Sequence, residues 1–254
     1  MPKQRADMLL VERGICESRE KAKRAIMAGK VFANGHPVFK PSDTFCEDAK
    51  LELKAGEQFV SRGGFKLEHA LNHFGLDVSG MVAVDIGAST GGFTDCLLQR
   101  GASKVFAVDV GKGQLSQKLQ RDHRVVVMDK TNARYLKPDF FPEAADVVTI
   151  DASFISLTKL LPAAVSLLKP HGFVIALVKP QFEAGREHVG KGGVVRDESV
   201  RLGCVEKVTR FATEKLGMRS LGAIESPLPG PAGNKEFLVC LKKQPRSVAH
   251  VSGN

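Results

Sequence analysis

Apolar runs of strand length alternate with helix-period segments over most of the chain. The runs at 81–86, 105–110, 124–128, 146–150 and 173–178 are each five or six residues long, as buried strands are. Two more, at 221–224 and 237–241, complete a set of seven. Between them, apolar residues fall at helical spacing from Phe93, Gln114, Ser156 and Asp197. This alternation predicts a doubly wound α/β sheet, whose ligands bind outside the carboxyl ends of its strands.

Residues 1–57 follow a different pattern. Met8, Leu9, Leu10 and Val11 form a short helical segment that Gly14 stops. Ser18 is a fitting N-cap for a second helix, with Glu20 in its first turn. Ala22, Ala25, Ile26 and Met27 would be the buried side of that helix, and Gly29 its C′ residue. Segments 30–33 and 36–38 flank Asn34-Gly35, a hairpin signature. Leu51 and Leu53 alternate with charges, as in a half-buried strand. The chain therefore divides into a small α+β module at 1–57, a join at 58–62, a main domain at 63–243, and a polar tail at 244–254 expected to be disordered.

Charge adds a partner class. The 254 residues carry a formal net charge of +9, which favours a polyanion, either nucleic acid or an acidic membrane surface. Residues 1–40 hold nine Lys/Arg against four Asp/Glu, so the first module offers a phosphate-binding face or a solvated helix. The five cysteines are scattered without a CxxC pair, which argues against a zinc site or a disulfide framework. The start lacks a secretory apolar region and no run approaches the ~20 residues of a membrane helix, so cytoplasm is expected, with no membrane partner.

The small module is similar to a known type. Arg5, Asp7, Leu9 and Leu10, then Ser18-Arg19-Glu20-Lys21-Ala22, then Gly29-Lys30-Val31 and the Asn34-Gly35 turn resemble the S4-type RNA-binding domain. By that resemblance Arg5, Arg19, Lys23, Arg24 and Lys30 would contact RNA phosphates, and Arg62 in the join is a further RNA-binding candidate.

The first strand of the main domain carries the clearest chemistry. Asp85 lies inside it, and Gly87, Ala88, Ser89, Thr90, Gly91 and Gly92 follow before a helix opens at Phe93. A strand, glycine turn and helix let a ligand approach the backbone and face free N–H groups. The spacing is not the GxGxxG of a dinucleotide site, and the loop has no Gly-Lys-Ser/Thr of a P-loop. Asp109, at the end of strand two, is placed for ribose hydroxyls, and Asp85 for a cationic amino group. S-adenosylmethionine has both and carries no phosphate. Asp129, one strand further, is the candidate near adenine.

Four polar residues remain: Lys66, Asp151, Lys179 and Glu236. Lys66 follows Gly63-Gly64 in a helix's first turn, where the helix dipole disfavours a cation. Asp151 and Lys179 end neighbouring strands, where mutual pairing would offset the cost of half-burying each charge; a purely structural ion pair is the alternative. The segments Arg62-Gly63-Gly64-Phe65-Lys66-Leu67, 85–94, Asp151-Ala152-Ser153-Phe154-Ile155-Ser156, 178–183 and 226–236 together resemble the TlyA family. That family joins an S4 domain to an FtsJ-like methyltransferase domain and has also carried the label haemolysin.

The resemblance implies a Rossmann-like S-adenosylmethionine-dependent sheet of seven strands, the last antiparallel. It also implies 2′-O-methylation of cytidine riboses in ribosomal RNA, on the large and possibly the small subunit. Its Lys-Asp-Lys-Glu tetrad falls on Lys66, Asp151, Lys179 and Glu236. The few residues before Arg5 fit the family's shorter subtype and favour the large subunit alone. A 2′-hydroxyl must lose its proton during in-line attack on the methyl carbon, and an amine serves as base only where its charge is disfavoured. Lys179 is thus read as base or oxyanion stabiliser, with the other three positioning; no metal is needed. The glycine-rich segment 182–195, with Arg186, His188 and Lys191, is expected to be a mobile basic loop over the RNA. An idle RNA-binding or ribosome-assembly factor and a membrane-active haemolysin are the competing readings. Oligomeric state is not legible.

Overall fold

A computed structural model describes residues 3–27, 29–53, 58–230 and 232–245. Most of the expected tail, and residues 54–57 ahead of the join, lie outside that description. The chain forms two compact units, Met1–Arg62 and Gly63–Asn254.

The first unit contains β1 (Lys3–Arg5), α1 (Ala6–Glu12), α2 (Arg19–Met27), β2 (Val31–Ala33), β3 (His36–Pro37), β4 (Thr44–Cys46) and β5 (Leu51–Leu53). Lys21 N–H donates to Ser18 Oγ at 3.2 Å, which caps α2. Asn34 and Gly35 both have positive φ, 51° and 81°, as a type I′ turn between β2 and β3 requires. β2 is the centre of a three-stranded antiparallel sheet with β3 and β5, and β1 pairs antiparallel with β4. Leu9, Leu10, Ile26 and Val31 lie at the core. Met27 and Leu53 are exposed rather than buried, because helix and strand each end at those positions. The β1–β4 pair has no apolar signature: its first strand reads Lys-Gln-Arg.

The second unit contains α3 (Gly63–His73), β6 (Val82–Ile86), α4 (Gly92–Gln99), β7 (Lys104–Val108), α5 (Gln117–Gln120), β8 (Val125–Met128), β9 (Ala145–Ile150), α6 (Leu161–Leu167), β10 (Leu168–Val178), α7 (Pro180–Glu183), α8 (Glu198–Leu216), β11 (Met218–Glu225) and β12 (Phe237–Lys243). The seven-stranded sheet has the order β11-β12-β10-β9-β6-β7-β8. β6 to β10 run parallel, and β12 is antiparallel to both β10 and β11. Residues alternate between faces, so Val84, Val148, Val174 and Val239 pack with Leu161, Ala164 and Val208 of α6 and α8. Asp85 and Thr149 point to the opposite face, where α4 lies.

Two elements differ from the sequence pattern. The helix expected from Gln114 is the single turn α5. β10 starts five residues before the apolar run, and its pairing with β9 shifts register between Leu168 and Phe173. There His171 takes φ 66° and a Cβ at Gly172 would stand 2.8 Å from the Asp146 carbonyl oxygen. α8 begins where expected: Asp197 Oδ1 accepts from Ser199 N–H at 2.8 Å, and Gly217 closes the helix at φ 63°.

Candidate active site

The carboxyl ends of β6, β7 and β9 enclose a cavity of about 380 Å³, lined in part by Gly87, Ser89, Asp109, Thr131, Asn132 and Asp151. Gly87 has φ 82°, and a Cβ there would lie 2.7 Å from the Asp151 carbonyl oxygen, so only glycine lets β6 pass the β9 end. Gly91, at φ 101°, starts α4 with the side chain of Leu119 against its Cα. Asp109 shapes the loop as well as facing the cavity: Ser89 N–H donates to Oδ2 at 2.8 Å and Gly111 N–H to Oδ1 at 2.7 Å. Each carboxylate oxygen keeps a second lone pair for a ligand.

Not every expected donor-site residue reaches this cavity. Asp129 accepts from Gly113 N–H at 2.8 Å and is not among the lining residues. Ala88, Gly92 and Phe93 are buried beneath the loop, and Thr90 is exposed beside it. Asp85 is fully buried, with Thr94 Oγ1 donating to Oδ2 at 2.7 Å and Thr149 Oγ1 to Oδ1 at 2.9 Å. It therefore ties β6 to β9 and to the first turn of α4 from below, and is not among the residues lining the cavity.

Burial pushes the Asp85 carboxyl up to about 6; the two threonine hydroxyls oppose this and the charge of Asp151 adds to it. An acid raised in the folded state is most compatible with folding while protonated. Its contribution is fully present below the ordinary aspartate value near 4 and is lost as pH rises to about 6, a change of roughly 3 kcal/mol. Asp85→Asn removes that dependence. In urea titrations, the stability of the variant relative to wild type should rise between pH 4 and pH 7 by an amount of that order; a pH-independent difference would contradict the assignment.

The tetrad forms two ion pairs at the same sheet edge. Lys179 Nζ lies 2.7 Å from Asp151 Oδ1 and donates to Ser153 Oγ at 2.9 Å. Lys66 Nζ donates to Glu236 Oε2 at 2.5 Å, with both side chains at most a tenth exposed. The antiparallel last strand makes this possible. Phe237 pairs with Val178, so the residue before β12 meets the residue after β10. A Cβ at Gly230 would collide with Glu236 Oε1, so the glycine leaves room for the carboxylate. That oxygen is buried and makes no hydrogen bond within the described residues.

Lys179, Glu236, Gln181, Phe182 and Asn234 line a second cavity of about 420 Å³. Ser153 and Phe154 line both cavities and form the wall between them. Phe154 is 91% exposed, has φ 63°, and sits 5.1 Å from the Phe182 ring centroid. A large apolar side chain this exposed at a left-handed position points to function. Phe154 carries little mark in the sequence: its one signal is an aromatic between Ser153 and Ile155 just beyond a strand-end acid.

Two further residues hold this arrangement. The buried Glu183 accepts from Leu157 N–H and Ser156 Oγ, each at 2.6 Å, and so anchors the loop after Asp151. Asn234 accepts from Val195 N–H at 2.9 Å and donates to the Gly193 carbonyl at 2.8 Å. The 182–195 segment therefore has local structure that its glycine content concealed, including a 3-10 turn at Arg186–His188 and a bridge between Gly190 and Val194.

In the first unit, Arg5 and Arg19 both pair with the buried carboxylate of Asp7, at 2.9 and 3.0 Å. Lys23 pairs with Glu20, Arg24 is exposed, and Lys30 and Arg62 are half-buried. Arg186 and Lys191 are exposed on the second unit. Among the described residues no helix is long and apolar enough to cross a membrane.

The FtsJ-like methyltransferase family matches residues 59–243 and the S4 domain residues 4–51. The chain is 46% identical over 242 residues to the 16S/23S rRNA (cytidine-2′-O)-methyltransferase TlyA of Mycobacterium tuberculosis, spanning 94% of this chain and 90% of that one. It is 42% identical over 238 residues to Hemolysin A of Brachyspira hyodysenteriae, spanning 92% and 98%. A solved Streptococcus thermophilus chain described as a hemolysin superposes with a TM-score of 0.72 at 48% identity, over 96% of this chain and 90% of that one. The glycine loop, the strand-end tetrad and the matched length agree: the chain belongs to the FtsJ-like methyltransferase family, in the branch that includes TlyA and carries an S4 domain ahead of the methyltransferase fold.

Proposed function

We propose that this protein transfers a methyl group from S-adenosylmethionine to the ribose 2′-hydroxyl of a cytidine in ribosomal RNA, acting on ribosomal subunits in the cytoplasm. The observation that carries this reading is the shared wall. A cavity lined by acids and, among the described residues, by no cation adjoins, through Ser153 and Phe154, a cavity lined by Lys179 and Glu236.

The first cavity fits the methyl donor by charge. Its ionisable lining residues are Asp109 and Asp151, which suit a sulfonium and an ammonium and repel a phosphate. Asp109 would hold ribose hydroxyls, with Thr131 and Asn132 further along the wall. When bound, the donor supplies an electrophilic methyl carbon on a positively charged sulfur.

The tetrad acts on the acceptor oxygen. Lys179 Nζ, fixed between Asp151 and Ser153, stands where the 2′-hydroxyl proton leaves or where negative charge on oxygen develops. Glu236 is held through Oε2 by Lys66 and leaves Oε1 as an acceptor for a ribose hydroxyl. Phe154 offers an aromatic face to a base drawn out of its stack, as an acceptor sugar inside a cavity requires. Arg5, Arg19, Lys23, Arg24, Lys30, Arg62 and Lys191 supply phosphate contacts.

A relative at 46% identity is named for both 16S and 23S RNA, so both are assayed. Purified small and large subunits from cells lacking the protein are incubated with tritiated donor, and 2′-O-methyl marks are mapped on each RNA. Label at cytidine riboses is expected in at least one RNA. No transfer to either RNA would overturn the proposal.

A further inference from the structure

A third depression, of about 510 Å³, adjoins the acceptor cavity. Phe154 and Phe182 line both. Arg134, Lys159 and Arg186 converge on it, and among the described residues no acid does. The three cations come from three separate 3-10 turns, Ala133–Tyr135, Leu157–Lys159 and Arg186–His188. The first two turns are capped: Arg134 N–H donates to Asn132 Oδ1 at 3.1 Å, and Thr158 N–H to Ser156 Oγ at 3.3 Å. Ser156 is itself held by the buried Glu183.

All three side chains are exposed, and no carboxylate among the described residues forms an ion pair with any of them. Three of the cations expected to bind RNA in the first unit differ: Arg5 and Arg19 share Asp7, and Lys23 has Glu20. Like charges gathered without internal compensation repel one another, and a multiply charged anion relieves that repulsion. Arg186 belongs to the basic loop that the sequence singles out; Arg134 and Lys159 carry no motif signal.

We propose that this groove is a phosphate subsite. It holds backbone phosphates flanking the nucleotide whose ribose occupies the acceptor cavity, and so selects a polynucleotide over a free nucleoside. The inference rests on RNA being the acceptor. The common wall supports it, because a ribose in one cavity has its phosphates within a few bonds, and the groove lies on the other side of Phe154 and Phe182. Arginine forks at two of three corners suit phosphate oxygens.

The test uses full-length protein carrying Arg134→Gln, Lys159→Gln and Arg186→Gln, singly and together. Thermal melts and calorimetric donor binding check that fold and donor site are intact. Binding to a ribosomal RNA fragment is followed against salt, and methyl transfer is split into kcat and KM. Each single variant is expected to raise KM for RNA roughly 3- to 10-fold, with the loss on KM rather than kcat. The triple variant should flatten the slope of log K against log salt by about two, at 0.7 to 0.9 per phosphate contact. A triple variant with wild-type slope overturns the subsite, whether or not KM changes. If the slope falls but even wild type transfers no methyl group to RNA, the subsite stands and the proposed reaction fails. If transfer occurs and the slope is unchanged, only the subsite fails.

Discussion

Lys179→Ala is expected to lower methyl transfer by at least about 10³-fold while S-adenosylmethionine still binds. Lys179 does not line the donor cavity, whereas its partners Asp151 and Ser153 do. Losing the ammonium therefore removes charge and proton handling from the acceptor oxygen and leaves the donor walls in place. A positioned general base contributes 10²- to 10⁴-fold and electrostatic stabilisation of a developing oxyanion is of similar size, so either role predicts a loss of this order. Lys179→Arg separates the two roles. A guanidinium keeps the charge but cannot accept the proton, so an arginine variant recovering more than about a tenth of wild-type kcat identifies Lys179 as a stabiliser of negative charge. An inactive arginine variant with intact donor binding identifies it as the base. An alanine variant within tenfold of wild type, measured at saturating donor, would remove Lys179 from the chemistry.

Strands were the most legible part of this chain, because β6, β7, β9 and the second half of β10 are almost wholly buried and read as largely apolar runs. β1 was invisible for the opposite reason: three polar residues make a strand only because Thr44–Cys46 is there to pair with them. The glycine loop was legible as a ligand site, since glycine at φ 82° and 101° leaves a mark in sequence that side-chain contacts do not. The role of Asp85 was not. A strand acid beside a cofactor loop reads as a ligand contact, and its complete burial against Thr94 and Thr149 is a packing relation that no strand pattern shows. Asp129 reads as a cavity residue from its strand, yet it turns to Gly113. Phe154, Glu183 and the Arg134–Lys159–Arg186 groove depend on loops that meet only after folding, and no spacing along the chain encodes them.

Glu236→Ala is expected to cost about 3–5 kcal/mol, because it leaves the Lys66 ammonium buried without its partner. In a unit of this size that corresponds to a fall in Tm of roughly 10 °C. A loss of activity in this variant would therefore say little about mechanism. Lys66→Met combined with Glu236→Gln removes both charges together while nearly preserving volume, so most of the stability should return. Activity should not return, staying at least about 10²-fold below wild type, because the Oε1 acceptor loses its charge and the lysine that aims it is gone. Recovery of activity together with Tm would make the pair a structural tie between α3 and the start of β12. The burial argues against that outcome. A buried ion pair is a poor means of joining a helix to a sheet, since apolar side chains of similar volume do it at less cost. A lysine at the wrong end of a helix dipole, facing a carboxylate that keeps one oxygen unbonded, is better explained by what that oxygen is left free to bind.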